Sequence, residues 1–152
     1  MKTTPPLAAC SGSTLGLLIR QVRDGIWAQM ERELAQVGHD LTFSQYIAIK
    51  KLAGGTASVT DLARAAELNP GAMTRLLDKL EARGLVARVA DPSDRRALHI
   101  HLTEAGMAIW RDVDQCGARV RERAMSGMSD SEREFLTRLL ERVRDNLTLT
   151  ED

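Results

Sequence analysis

The chain has 152 residues, 43% of them hydrophobic and 28% charged. That composition suits one compact domain with helical extensions and excludes extensive disorder. Lysine plus arginine (21) balances aspartate plus glutamate (21), so no global positive field marks a nucleic-acid partner; any such partner must rest on a local site. Aromatic residues, at 3%, are too few for the stacking platforms of single-strand binders. Cys10 and Cys116 build no disulfide framework, which points to a reducing cytoplasm.

No apolar run reaches the roughly 20 residues of a membrane span. Leu7-Ala8-Ala9-Cys10 has the form of a lipoprotein cleavage box. Met1-Lys2-Thr3-Thr4-Pro5-Pro6 puts no apolar region ahead of it, so residues 1–12 read as a disordered leader. From Ser13 to Val37 the apolar residues recur at helical spacing: Leu15, Leu18, Ile19, Val22, Ile26, Trp27, Met30, Leu34 and Val37. The stripe covers about half a helical wheel. That width suits burial on two sides, against the helix's own domain and against a second chain.

Thr42 and Gln45 form a capping box opening a second helix, which Gly54-Gly55 ends. Ser58 and Asp61 form another, ahead of a short helix. Asn69-Pro70 starts the next, with Met73, Leu76, Leu77 and Leu80 as its apolar stripe. Gly84 stops it, with Leu85 folding back toward Leu80. The period then changes: Leu85–Val89 is a short strand, Asp91-Pro92-Ser93-Asp94 a turn, and Leu98, Ile100 and Leu102 alternate with His99 and His101. Residues 85–102 are therefore a predicted β-hairpin with a charged tip. Thr103 caps a long helix to about Met125, and a Ser129–Glu132 box opens the last one.

Two short helices joined by a tight turn and followed by a β-hairpin make a winged helix-turn-helix. The fold class is mainly α with a small β-hairpin wing. The DNA major groove, about 12 Å wide, admits one helix. The second helix of the pair has an apolar face for the protein and a small, polar face for DNA: Gly71, Ala72, Thr74, Arg75, Asp78 and Lys79. Arg95 and Arg96 at the tip suit the narrow, electronegative minor groove. Residues 58–103 hold seven basic side chains against six acidic ones, so a DNA face requires the signs to be sorted between surfaces.

Four segments carry a family resemblance: Leu41-Thr42-Phe43-Ser44-Gln45-Tyr46; Met73 through Val86 (MTRLLDKLEARGLV); Asp91-Pro92-Ser93-Asp94-Arg95-Arg96-Ala97; and Leu102-Thr103-Glu104-Ala105-Gly106. Together they resemble the MarR family (multiple antibiotic resistance regulators), over about residues 13–148. The resemblance implies a homodimer on a palindromic operator, most often as a repressor. It divides the chain into a helical dimerisation region, residues 13–40 plus 103–150, and a DNA-binding lobe, residues 41–102. It implies that Arg96 enters the minor groove, oriented by Asp94. The expected DNA-contacting set is Asn69, Gly71, Ala72, Thr74, Arg75, Lys79, Arg88, Asp94, Arg95 and Arg96.

The family commonly releases DNA on binding small aromatic acids or phenols, and Trp27, Tyr46 and Trp110 are candidates to line such a pocket, although core packing is the commoner job for such residues. Other members use a reactive cysteine in the first helix. That position falls on Leu18 here, with Cys10 eight residues earlier, so redox sensing is not expected. His99 and His101 share one strand face, but the third histidine is His39 and no cysteine cluster joins them; solvent exposure or phosphate contact is expected rather than zinc. Cys116, on an apolar helix face, reads as a buried, inert thiol. No phosphate-loop, dinucleotide, metalloprotease or nucleophile-elbow motif is present, so neither catalysis nor a cofactor is expected. The other reading is an effector-independent architectural or protein-interaction module.

Overall fold

The computed structural model describes residues 12–94 and 96–148. The leader segment lies outside these residues, Cys10 with it, except Gly12; Arg95 of the wing also lies outside. In chain order the elements are α1 (Gly12–Gln36), α2 (Phe43–Ala53), β1 (Ala57–Ser58), α3 (Val59–Ala65), α4 (Pro70–Ala82), β2 (Val86–Ala90), β3 (Leu98–Leu102), α5 (Glu104–Ala124) and α6 (Asp130–Thr148).

Local chemistry sets most of the boundaries. At α2 the Thr42 hydroxyl accepts from the Gln45 backbone N–H (3.2 Å) and the Gln45 side chain accepts from the Thr42 N–H (3.1 Å). Ser129 and Glu132 repeat the exchange at α6. Ser58 supplies only half a box: it accepts from the Asp61 N–H, while the Asp61 carboxylate lies 3.8 Å from Arg64. Helix α4 stops as a Schellman turn. Gly84 stands at φ +73°, Leu85 N–H donates to Leu80 O (3.0 Å) and Gly84 N–H to Glu81 O (2.8 Å). Strand β2 therefore begins at Val86, because Leu85 belongs to the helix stop. Helix α3 ends with the same bond pattern, but a glutamate, Glu67 at φ +54°, holds the left-handed position. A side chain there costs on the order of 1 kcal/mol.

The hairpin β2–β3 forms as expected, pairing Val86 with Leu102 and Ala90 with Leu98. It is not a two-stranded wing, however. β1 adds to the far edge of β3, Ala57 opposite Ile100, giving an antiparallel sheet ordered β1-β3-β2. Two residues carry no readable alternation, and Ser58 doubles as the α3 cap, which hid the strand in the sequence. Ile49, Leu62, Met73, Leu77, Leu80, Ile100 and Val113 meet in one fully buried core. It fixes α4 and the sheet to the rest of the lobe.

The wide apolar stripe of α1 divides in two. Met30 and Leu34 are buried, whereas Leu15, Leu18, Ile19, Val22 and Ile26 are 42–56% exposed. Helix α6 buries no residue, and Phe135, Leu139, Leu140 and Leu147 stand exposed along it. Glu33, only 5% exposed, joins α1 to α5 through Arg119 (2.6 Å) and Arg123 (3.7 Å). A buried carboxylate needs such partners, since leaving it unpaired is costly.

Candidate nucleic-acid interface

Helix α4 is anchored by Met73, Leu77 and Leu80, all 0% exposed. The 3.6-residue period then turns Gly71, Thr74, Arg75, Asp78 and Lys79 to solvent, with Ala72 half-buried beside them. The Asn69 side-chain oxygen accepts from the Ala72 N–H at 2.7 Å, so this residue starts the helix. The Thr74 hydroxyl donates back to Pro70 O (2.9 Å) and keeps its lone pairs for an incoming donor. Among the described residues, no carboxylate lies within ion-pair distance of Arg75 or Lys79. The Arg83 guanidinium reaches the Asp40 backbone carbonyl at 3.5 Å.

The wing is a pre-folded turn. The Asp91 carboxylate accepts from the Ser93 N–H (2.8 Å) and hydroxyl (2.7 Å), and its second oxygen lies 2.9 Å from His99 Nε2. The Ser93 hydroxyl bond, then the His99 bond, hold the Asp91 carboxyl well below the usual carboxylate range. His99 thus pins the wing from β3 and is not a free phosphate contact. Asp94 accepts from the Arg96 backbone N–H (3.0 Å), so it orients the main chain at the tip and not the guanidinium. Arg96 is exposed, with no carboxylate partner among the described residues. Asp91 was not singled out from the sequence, although an Asp two residues before a Ser is a readable Asx-turn signal.

Arg88 is otherwise engaged. Its guanidinium donates to Asp78 (2.7 Å) and to Glu81 (2.9 Å), both on α4. The three effector-pocket candidates, Trp27, Tyr46 and Trp110, are all half-buried and packed against the core. Trp27 packs edge-on against Phe43 (ring centroids 5.0 Å) and beside Tyr46 (5.6 Å). Trp110 packs on the core and makes no ring contact with them among the described residues. An open cleft of about 520 Å³ instead lies by Ile47, Lys50, Lys51 and Ala65. Cys116 is 0% exposed; burial pushes its thiol pKa up, although an Arg119 N–H lies 3.3 Å from Sγ. Such a thiol is protonated and inert. No group of three or more potential metal-binding side chains occurs among the described residues, and no described helix is long and apolar enough to cross a membrane.

Comparison with known proteins places this geometry. The MarR family model matches residues 53–98, which span the β1–α4 unit and the wing. The HTH-type transcriptional repressor NicR of Pseudomonas putida is 26% identical over 152 residues, covering 95% of each chain. The solved transcriptional regulator PA3341 superposes with a TM-score of 0.78 at 31% identity, over 88% of this chain and 98% of that one. A mutant MarR from E. coli complexed with operator DNA gives 0.72 at 27% identity, over 85% and 92%. With the winged fold and the motif run in register on its elements, the chain belongs to the MarR family of DNA-binding transcriptional regulators.

Proposed function

We propose that this regulator is a homodimeric repressor that reads a palindromic duplex and is released by a small aromatic or phenolic effector. One observation carries the DNA-reading part: the small and cationic residues of α4 (Gly71, Thr74, Arg75, Lys79) are exposed, and Arg96 is exposed at the wing tip with no carboxylate partner among the described residues. Small residues at the start of α4 let the helix approach the base edges, where the Thr74 hydroxyl oxygen can accept and the Arg75 guanidinium can donate. Lys79 serves phosphate, and Arg96 the adjacent minor groove. Asn69 and Asp94 act by shaping α4 and the tip.

The exposed apolar faces of α1 and α6 support pairing of two copies through residues 13–40 and 103–150, leaving 41–102 as the reading lobe. In the dimer the two α4 helices must stand about 34–36 Å apart to enter successive major grooves. An effector that binds a different spacing more tightly shifts the population and weakens DNA binding. The name of NicR, a repressor, supports the sign of regulation. The effector-independent reading draws support from Trp27 and Tyr46, whose rings are taken up by packing with Phe43.

The test is a duplex selected from a random pool, bound at fixed salt. Arg96→Ala is expected to weaken binding by about tenfold or more while the dimer persists in light scattering. Unchanged affinity removes the wing from the mechanism. Titrating the complex with aromatic acids and phenols separates the two readings: release supports the effector, and indifference to all of them favours the effector-free module.

A further inference from the structure

Arg88 lies on β2 in the row Val86–Arg88–Ala90, the face that also carries buried Ile100 opposite Arg88. That face looks onto α4, and the guanidinium spans two carboxylates one turn apart there: Asp78 at 2.7 Å and Glu81 at 2.9 Å. Its side chain is only 25% exposed, whereas those of Asp78 and Glu81 are 59% and 45% exposed. A planar fork with fixed donor directions holds two acceptors in one geometry far better than a point charge does. We propose that Arg88 is a positioning residue: it braces the wing against the recognition helix, so that α4 and Arg96 meet adjacent grooves in register, and it does not itself contact DNA. The brace also neutralises Asp78, which shares the outward side of α4 with Arg75 and Lys79 and would otherwise repel the phosphates.

The proposal rests on α4 and the wing reading DNA together. A direct contact and a brace predict different measurements. Each phosphate contact contributes about 0.9 to the slope of log affinity against log salt, whereas a brace contributes nothing to it. A brace governs the ratio of affinities for selected and random duplex, because only the selected site demands both grooves in register.

The experiment measures both quantities for the intact dimer, the Arg88→Gln variant, and a variant with Asp78→Asn and Glu81→Gln, between about 50 and 200 mM salt. Expected for Arg88→Gln is about a tenfold fall in the ratio with the salt slope of the parent. Expected for the double variant, which keeps Arg88, is a similar fall in the ratio, even though two negative charges are gone. Two outcomes overturn the proposal. In the first, Arg88→Gln shortens the slope by about one contact and weakens both duplexes equally, while the double variant frees Arg88 and strengthens both at constant ratio. In the second, the ratio is unchanged in both variants. Should Arg88→Gln fail to fold, the double variant alone decides by the same ratio. Arg96→Ala runs alongside: if it too leaves the ratio and slope untouched, the wing reading itself has failed, whereas a weakened Arg96→Ala beside unchanged Arg88 variants sinks only the brace.

Discussion

Gly106 is where the fold has least room. It sits in the first turn of α5, and a Cβ built on it would lie 2.1 Å from the Leu85 carbonyl oxygen, with Leu102 Cδ2 at 3.1 Å. Ordinary contact begins at 3.4 Å, so about 1.3 Å of movement is required. The obstacle is backbone and is itself pinned. Leu85 O accepts from the Thr103 N–H (3.0 Å), Leu85 N–H donates to Leu80 O, and the Thr103 hydroxyl donates to Gly84 O (2.6 Å). Overpacking of this kind costs about 1–3 kcal/mol. Displacing α5 strains both Thr103 hydrogen bonds, at about 1 kcal/mol each. Better helix propensity returns at most about 1 kcal/mol. Gly106→Ala is therefore expected to destabilise the fold by about 2–4 kcal/mol. The assay is urea unfolding followed by circular dichroism at one fixed protein concentration, with the slope m unchanged. Gly117→Ala is the control in the same helix; its Cβ meets only Arg121 Nη1 at 3.6 Å, and it should stabilise by up to about 1 kcal/mol. A Gly106→Ala protein within about 0.5 kcal/mol of the parent would refute the close-approach argument.

Four further outcomes are expected. Glu67→Gly relieves the left-handed glutamate at the α3–α4 turn and should add about 0.5–1 kcal/mol in the same urea assay; a loss of stability there would count against strain at this turn. The Asp91 carboxyl is held low by Ser93 and His99, so its contribution is present above the unfolded-chain value of about 3.9 and is lost as pH falls below it. The Tm gap between the parent and Asp91→Asn should accordingly be constant above about pH 5 and narrow steadily as pH falls from about 4 to about 2, and a gap that stays constant over that lower range contradicts the assignment. Leu140→Glu, on the exposed face of α6, should leave each protomer folded by circular dichroism and shift light scattering toward the monomer; a persisting dimer places the interface elsewhere. Gly71→Leu should block docking without loss of fold, because Gly71 is exposed and its Cβ would meet only Asn69 Oδ1 at 3.4 Å; undiminished binding to the selected duplex shows that another helix face reads DNA.

The sequence alone determined whatever is settled within one turn of chain. The Thr42–Gln45 and Ser129–Glu132 boxes, the Asn69-Pro70 start and the Gly84 stop join atoms a few residues apart, so residue type and spacing suffice. The apolar face of α4 was legible for the same reason, and with it the outward row Gly71–Lys79. Tertiary structure decided what joins distant segments. The pairing of β1 with β3, the bond of Glu33 to Arg119 across 86 positions, the clasp of Arg88 on Asp78 and Glu81, and the contact of Gly106 with Leu85 follow from how elements dock. No local periodicity encodes them. That is why the partners of Arg88, Asp78 and Glu81 on α4, and the contact of His99 with Asp91 across the hairpin, show only once the chain is folded.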